Sequence, residues 1–233
     1  MSSAKNSLKI LDAITIVRMF APGFRVIKKS NSWFHKAVGS LFALFGNKEY
    51  INTFWTTIGL TTAAPKVFDK EYDPEAWKTI LHEGWHAIQF SKKGFWFFVG
   101  YLFPQVVAIA SIPIQIGLFL LGWWTPWMLL ALLFFSPLPA YWRAEWEWEA
   151  YRISIACDYW HWGTINPKAR DRYCEWIIDN FTGPAYFFMW PFKGAVKKRT
   201  LEIIKSLDCG TFVIDDYTQR CKDICVSYRE LGY

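Results

Sequence analysis

HEGWHAIQF, residues 82–90, is the stretch whose reading decides this chain. Two histidines stand four apart, with a glutamate beside the first. On an α-helix, positions i and i+4 lie one turn apart on the same face, so His82 and His86 can point at one ion while Glu83 is rotated to its side. That is the H-E-x-x-H arrangement of helical zinc sites, in which the glutamate works on a water at the metal. The same residues on an aromatic-rich helix could also be ordinary packed side chains. A third ligand and a suitable setting decide between the two.

RAEWEWEAYR, residues 143–152, offers three carboxylates within five positions. At about 100° per residue on a helix they do not share a face. Glu145 and Glu149 fall one turn apart, with Arg152 near Glu149, and read as a solvated charge stripe. Glu147 lies nearly opposite, on an arc with Ala144, Ala150, Tyr151 and Ser154 and between Trp146 and Trp148. A carboxylate so placed is expected to be buried, and a buried charge needs a partner. A metal shared with His82 and His86 is one such partner, and the alanines would let two helices approach closely. An ion pair with Arg143, one turn earlier, is the other. The histidine pair still asks for a third ligand, which favours the metal.

Between the two motifs the chain changes character. Residues 94–142 contain no charged residue and no histidine; Lys92 and Lys93 precede them and Arg143 follows. GWWTPW, residues 122–127, divides the run. Residues 95–121 are long enough for a bilayer crossing of about 20 residues. Residues 127–142 are shorter and hold Pro137 and Pro139. The run reads as a two-crossing hairpin or as a re-entrant segment in one leaflet, with a buried soluble core as the alternative. A single crossing would separate His86 from Glu147, whereas a hairpin or re-entrant form returns the chain to the same side. Lys92, Lys93 and Arg143 then flank the site, which the positive-inside tendency places on the cytoplasmic side of the membrane.

Composition agrees with that setting. Aromatic residues make up 20% of the chain, including 15 Trp, which suits a membrane–water interface. The formal net charge is +6, and residues 1–70 hold ten Lys or Arg against three acids. In so apolar a chain this favours a lipid bilayer as partner; no nucleic acid is expected, since the basic residues form no recognition signature. Five cysteines without a C-x-x-C pair read as free thiols in a reducing compartment, although Cys221 and Cys225 share a helical face.

The surrounding pattern is mainly α with a small β element. YINTFWTTIGLTTAA, residues 50–64, reads as one or two strands. Asp73 as N-cap and Pro74 at the first helical position start a helix that runs to about 91. Further helices are expected over 143–158, 167–180, 193–207 and 216–231, with breaks at Gly183-Pro184 and Trp190-Pro191. Asp12 and Arg18 interrupt the apolar run of the N-terminus, which reads as an imperfect amphipathic helix rather than a cleavable signal. Three regions result: a basic 1–70 with strands near its end, a metal-site core over 71–158 interrupted by 94–142, and a helical 159–233.

His82, Glu83 and His86, followed by Glu147-Trp148-Glu149-Ala150, resemble the gluzincin group of zinc peptidases, where H-E-x-x-H is joined by a glutamate from a later helix, often as E-x-x-A. The resemblance covers residues 50–158. Tyr151 stands where membrane-bound members with E-x-x-A-D carry an aspartate. It implies a zincin-like helical core carrying a hydrophobic hairpin or re-entrant segment, Zn²⁺ as cofactor, and His82, His86 and Glu147 as its ligands. It also implies hydrolysis of a peptide or protein substrate at a membrane surface, with Glu83 as the catalytic base towards a zinc-bound water. Thr79, Gln89 and Tyr151 are candidates to hold the ligands in place. His161, Tyr186 and Tyr151 are candidates to stabilise an oxyanion. The TTIGL strand could take an extended peptide by edge pairing. His35 reads as structural. The competing reading is a metal-stabilised membrane protein without catalysis, acting in interaction or assembly; a third reading treats HEGWH as accidental.

Overall fold

The computed structural model describes residues 2–28, 52–54, 57–60, 76–103, 105–135, 139–183 and 188–232. The chain is mainly helical. In order it forms α1 (Ser2–Phe20), β1 (Arg25–Lys28), β2 (Asn52–Phe54), β3 (Thr57–Leu60), α2 (Ala76–Lys93), α3 (Phe95–Leu102), α4 (Gln105–Leu120), a 3₁₀-helix (Pro126–Phe135), α5 (Tyr141–Trp162), α6 (Pro167–Thr182), α7 (Lys193–Asp208) and α8 (Asp216–Glu230). The proposed start of α2 at Asp73-Pro74, and His35, lie outside the described residues.

The centre of the fold is the pair α2 and α5. They carry the two motifs and pack against each other, with α1 behind α2 and α8 against both α5 and α1. Close approach on the far side of α2 is set by Gly84, where an added Cβ would lie 2.2 Å from Val17 Cγ2. Val17, Leu81, Ile88, Ala150, Ile153, Ala156 and Cys221 belong to one buried cluster that draws on all three regions of the chain. The Tyr217 hydroxyl donates to the Leu81 carbonyl at 2.8 Å, so the C-terminal helix braces α2 immediately before His82. Asp215 caps α8 by accepting from Thr218 N, and Asn166 caps α6 by accepting from Ala169 N, with Pro167 at the first position. These are helix starts that sequence alone signals.

The β element is a three-stranded sheet of order β1-β3-β2, with β1 parallel and β2 antiparallel to β3. Val26 and Thr53 both stand opposite Ile58. The TTIGL strand is therefore central. Its two edges are taken by β1 and β2, which corrects the expectation that it offers a free edge to a peptide.

The apolar run also departs from expectation. Residues 95–121 do not form one span: α3 ends at Leu102, and Phe103 turns extended (ψ 141°), the conformation that a following proline imposes. Among the described residues, no helix is long and apolar enough to cross a membrane. Gly100 lets α3 lie against α5, since an added Cβ there would meet Trp146 at 2.3 Å. Cys157, Cys174, Cys221 and Cys225 are buried free thiols, and Cys209 is exposed.

Candidate metal centre

Where α2 crosses α5, the side chains of His82, His86 and Glu147 meet. Their ligand atoms lie within 4.8 Å of one another, close enough to hold one metal ion, and all three residues are buried, at 8%, 5% and 1% exposure. Glu147 Oε2 stands 3.7 Å from His82 Nε2, and Oε1 stands 3.5 Å from His86 Nε2. Both separations exceed an ordinary N–H···O bond of about 2.9 Å. They approach the roughly 3.4 Å that separates two ligand atoms each about 2.05 Å from a tetrahedral zinc. Glu147 Oε2 is buried without a hydrogen-bond partner. A fully buried carboxylate oxygen left so is costly unless a cation meets it.

The far side of each imidazole is also arranged. His82 Nδ1 lies 2.9 Å from Ser154 Oγ, and His86 Nδ1 lies 2.8 Å from Gln89 Oε1. The Gln89 amide nitrogen donates to the Trp146 carbonyl at 3.1 Å and to Glu149 Oε2 at 2.7 Å, which leaves Oε1 for His86. An amide oxygen only accepts, so His86 Nδ1 carries a proton, and Nε2 is the nitrogen that faces Glu147 and would be offered to a metal. Tyr151 packs edge-on to His82 at 4.9 Å between ring centroids. Thr79 is half-buried on α2, and Ser154 rather than Thr79 takes His82 Nδ1.

Charge reinforces the grouping. Burial pushes His86 down, but the Glu147 carboxylate outweighs it and carries His86 up to about 9. Burial pushes Glu147 up, and the two histidines more than reverse that, holding it well below the usual carboxylate range. Glu147 is thus a buried charged carboxylate between two imidazoles, a group that could hold a metal ion. Glu83, buried in the same turn of α2, is near enough to His86 to favour its charged form.

Two readings of the RAEWEWEAYR charges are corrected. Glu145 and Glu149 do not form a solvated stripe: Glu145 takes the Arg199 guanidinium through both oxygens, and Glu149 is half-buried, accepting from Gln89 and from Trp85 Nε1 at 3.2 Å. Arg152 turns to Asp215 at 3.7 Å. Arg143 is buried rather than a basic flank at the membrane, and its Nε donates to the Tyr101 carbonyl.

The oxyanion candidates fare differently. His161 sits 14 residues beyond Glu147 on α5, about 21 Å along the axis, against Trp77 and Trp162. It does not reach the metal group. Tyr186 lies outside the described residues. The residue missed from sequence is Tyr101, whose hydroxyl donates to Glu147 Oε1 at 2.5 Å while its ring lies 6.1 Å from that of His86. It belongs to the uncharged run read as membrane segment, and its only signal was being the sole tyrosine in residues 94–140.

No family model, no curated protein and no solved structure matches the chain. The case for a function therefore rests on the chemistry of this group.

Proposed function

We propose that the chain is a zinc-dependent peptidase of the gluzincin kind, with a zincin-like helical core and an apolar segment that holds it at a membrane, its active site on the cytoplasmic side. The observation that carries this reading is the convergence of two imidazole nitrogens on a buried carboxylate with an unpartnered oxygen. Two histidines and one carboxylate are a donor set suited to Zn²⁺ in a catalytic site, with the fourth position left for water or substrate. A zinc ion held there would supply Lewis acidity.

The chain's own groups supply the rest. Glu83, beside His82 on the same helix, is the group to accept a proton from the attacking water and return it to the leaving amine. Tyr101, whose one hydroxyl proton meets Glu147 Oε1, would serve an oxyanion in place of His161 by turning that proton from the carboxylate to the substrate. Ser154 and Gln89 would hold the two imidazole rings in place from their far sides, leaving both Nε2 atoms to face the metal position.

The test is elemental analysis of the purified chain, with peptide hydrolysis measured beside it. About one zinc per chain is expected, lost in His86→Ala and in Glu147→Gln. Glu83→Gln should keep the zinc and lose hydrolysis by several orders of magnitude. The burial of all three ligands favours a second reading, a closed metal site that only stabilises the fold. In that case Glu83→Gln keeps the metal and changes nothing else.

A further inference from the structure

The hairpin of α4 and the 3₁₀-helix presents an exposed apolar surface. Its two arms pack on each other, and α4 continues from α3. Ile114, Ile116, Phe119, Leu120, Trp123 and Trp127 are each more than half exposed. On α4, Ile114, Ile116, Phe119 and Leu120 point to opposite sides, so the helix shows no polar face among its described side chains. Gln115 satisfies its amide within the hairpin by donating to Ser111 Oγ at 3.2 Å.

We infer that this hairpin docks into a single leaflet of an anionic bilayer, entering and leaving by the same face; for what it says of the site, this rests on the metal reading above. Length excludes a crossing. The 16 residues of α4 rise about 24 Å and the ten of the 3₁₀-helix about 20 Å, against a hydrocarbon core of about 30 Å. Entry and exit share a side because α3, before the hairpin, packs on α5, after it.

The root of the hairpin has the composition of an interface. Phe95, Trp96, Tyr141 and Trp142 are all more than half exposed there, an aromatic belt suited to headgroup depth. Lys92 and Lys93 are exposed beside it, their ammonium groups 5.5 Å and 5.1 Å from the Trp85 and Trp146 rings. That charge is complementary to anionic headgroups. The same root carries Tyr101 to Glu147, so the metal group lies beside the lipid surface and its substrate is a chain presented at that surface.

The experiment uses the full-length chain with Cys209→Ser, to which Thr125→Cys adds a thiol between the two arms. The chain is reconstituted with vesicles of phosphatidylcholine, with or without phosphatidylglycerol. Thr125→Cys should resist a membrane-impermeant maleimide supplied outside or trapped inside, and react once detergent is added. Labelling from the trapped reagent means a crossing and overturns the inference, as does labelling from outside on vesicle-bound protein.

Binding should favour the anionic vesicles on the order of tenfold, and Lys92→Glu with Lys93→Glu should abolish the preference. An unchanged preference overturns the anionic assignment. Ile114→Glu with Phe119→Glu should release the chain from both vesicles. Continued binding, or recovery of the unaltered chain as a lipid-free dimer, overturns docking and in the second case gives the face to another copy. Zinc content measured on the same samples separates failure of the metal reading from failure of the lipid one.

Discussion

Gln89 and Glu149 are joined across the two motif helices, Nε2 to Oε2 at 2.7 Å, and this one bond sets which way the Gln89 oxygen faces. With the amide nitrogen committed to Glu149 and to the Trp146 carbonyl, the oxygen is left for His86 Nδ1. Outer hydrogen bonds of this kind tune ligand affinity, commonly by about 10- to 100-fold. Gln89→Ala should therefore weaken zinc binding by that factor and leave helical content unchanged. Competition with a chromophoric chelator measures it; an affinity equal to that of the unaltered chain would remove Gln89 from the site.

The histidine spacing and the direction of Glu147 were legible because helical periodicity alone places side chains on a face. The starts of α6 and α8, expected at 167 and 216, were legible for the same kind of local reason, which the structure gives as side-chain caps from Asn166 and Asp215. What was not legible depends on contacts distant in sequence. Glu149 reads as solvent-facing on its own helix, and only the packing of α2 brings Gln89 and Trp85 to it. β1 is four residues long, and its pairing partner β3 lies about thirty residues away. Tyr101 sits in a run whose apolar composition advertises lipid, and only Gly100, by admitting Trp146, brings its hydroxyl to the metal group.

Glycine is a poor helix former, and at position 84 the structure gives it a task. A Cβ there would lie 2.2 Å from Val17 Cγ2 and 2.9 Å from Cγ1. Overpacking of this kind costs about 1–3 kcal/mol, so Gly84→Ala should lower the melting temperature by several degrees despite the better helix propensity of alanine. Val17→Ala removes the methyl groups concerned. In the double variant the two losses should be less than additive, and strict additivity in a thermal-unfolding cycle would place the strain elsewhere.

Tyr101→Phe keeps the ring packed beside Phe97 and Trp146 and deletes the hydroxyl that meets Glu147. The carboxylate then loses a donor in a buried setting, a loss of about 1–3 kcal/mol. Urea unfolding should show that loss. Hydrolysis by the zinc-loaded chain should fall in kcat with KM nearly unchanged if the hydroxyl serves the transition state. An effect on KM alone would leave Tyr101 a packing residue.

His161 gives the chain a pH dependence of known sign. Burial, with the ammonium groups of Lys78 and Lys9, pushes its imidazole down to about 4; the Asp158 carboxylate and the Cys225 backbone act in the opposite sense without prevailing. Its Nδ1 is buried without a partner. In the unfolded chain the same imidazole titrates near 6.5, so between about pH 6.5 and 4 the unfolded state binds a proton that the folded state refuses. Stability from this group is therefore full above pH 6.5 and is lost progressively as pH falls towards 4. In the metal-free chain His86 has the opposite sign, since its folded value near 9 makes its contribution fade as pH rises from 6.5. Comparing the unaltered chain with His161→Gln at each pH cancels that second term. The difference in urea-unfolding free energy should be constant from pH 8 to 7 and then shift steadily against the unaltered chain down to pH 4.5. A difference that stays flat over the whole range would mean that the imidazole charges in place, with water or a carboxylate at Nδ1.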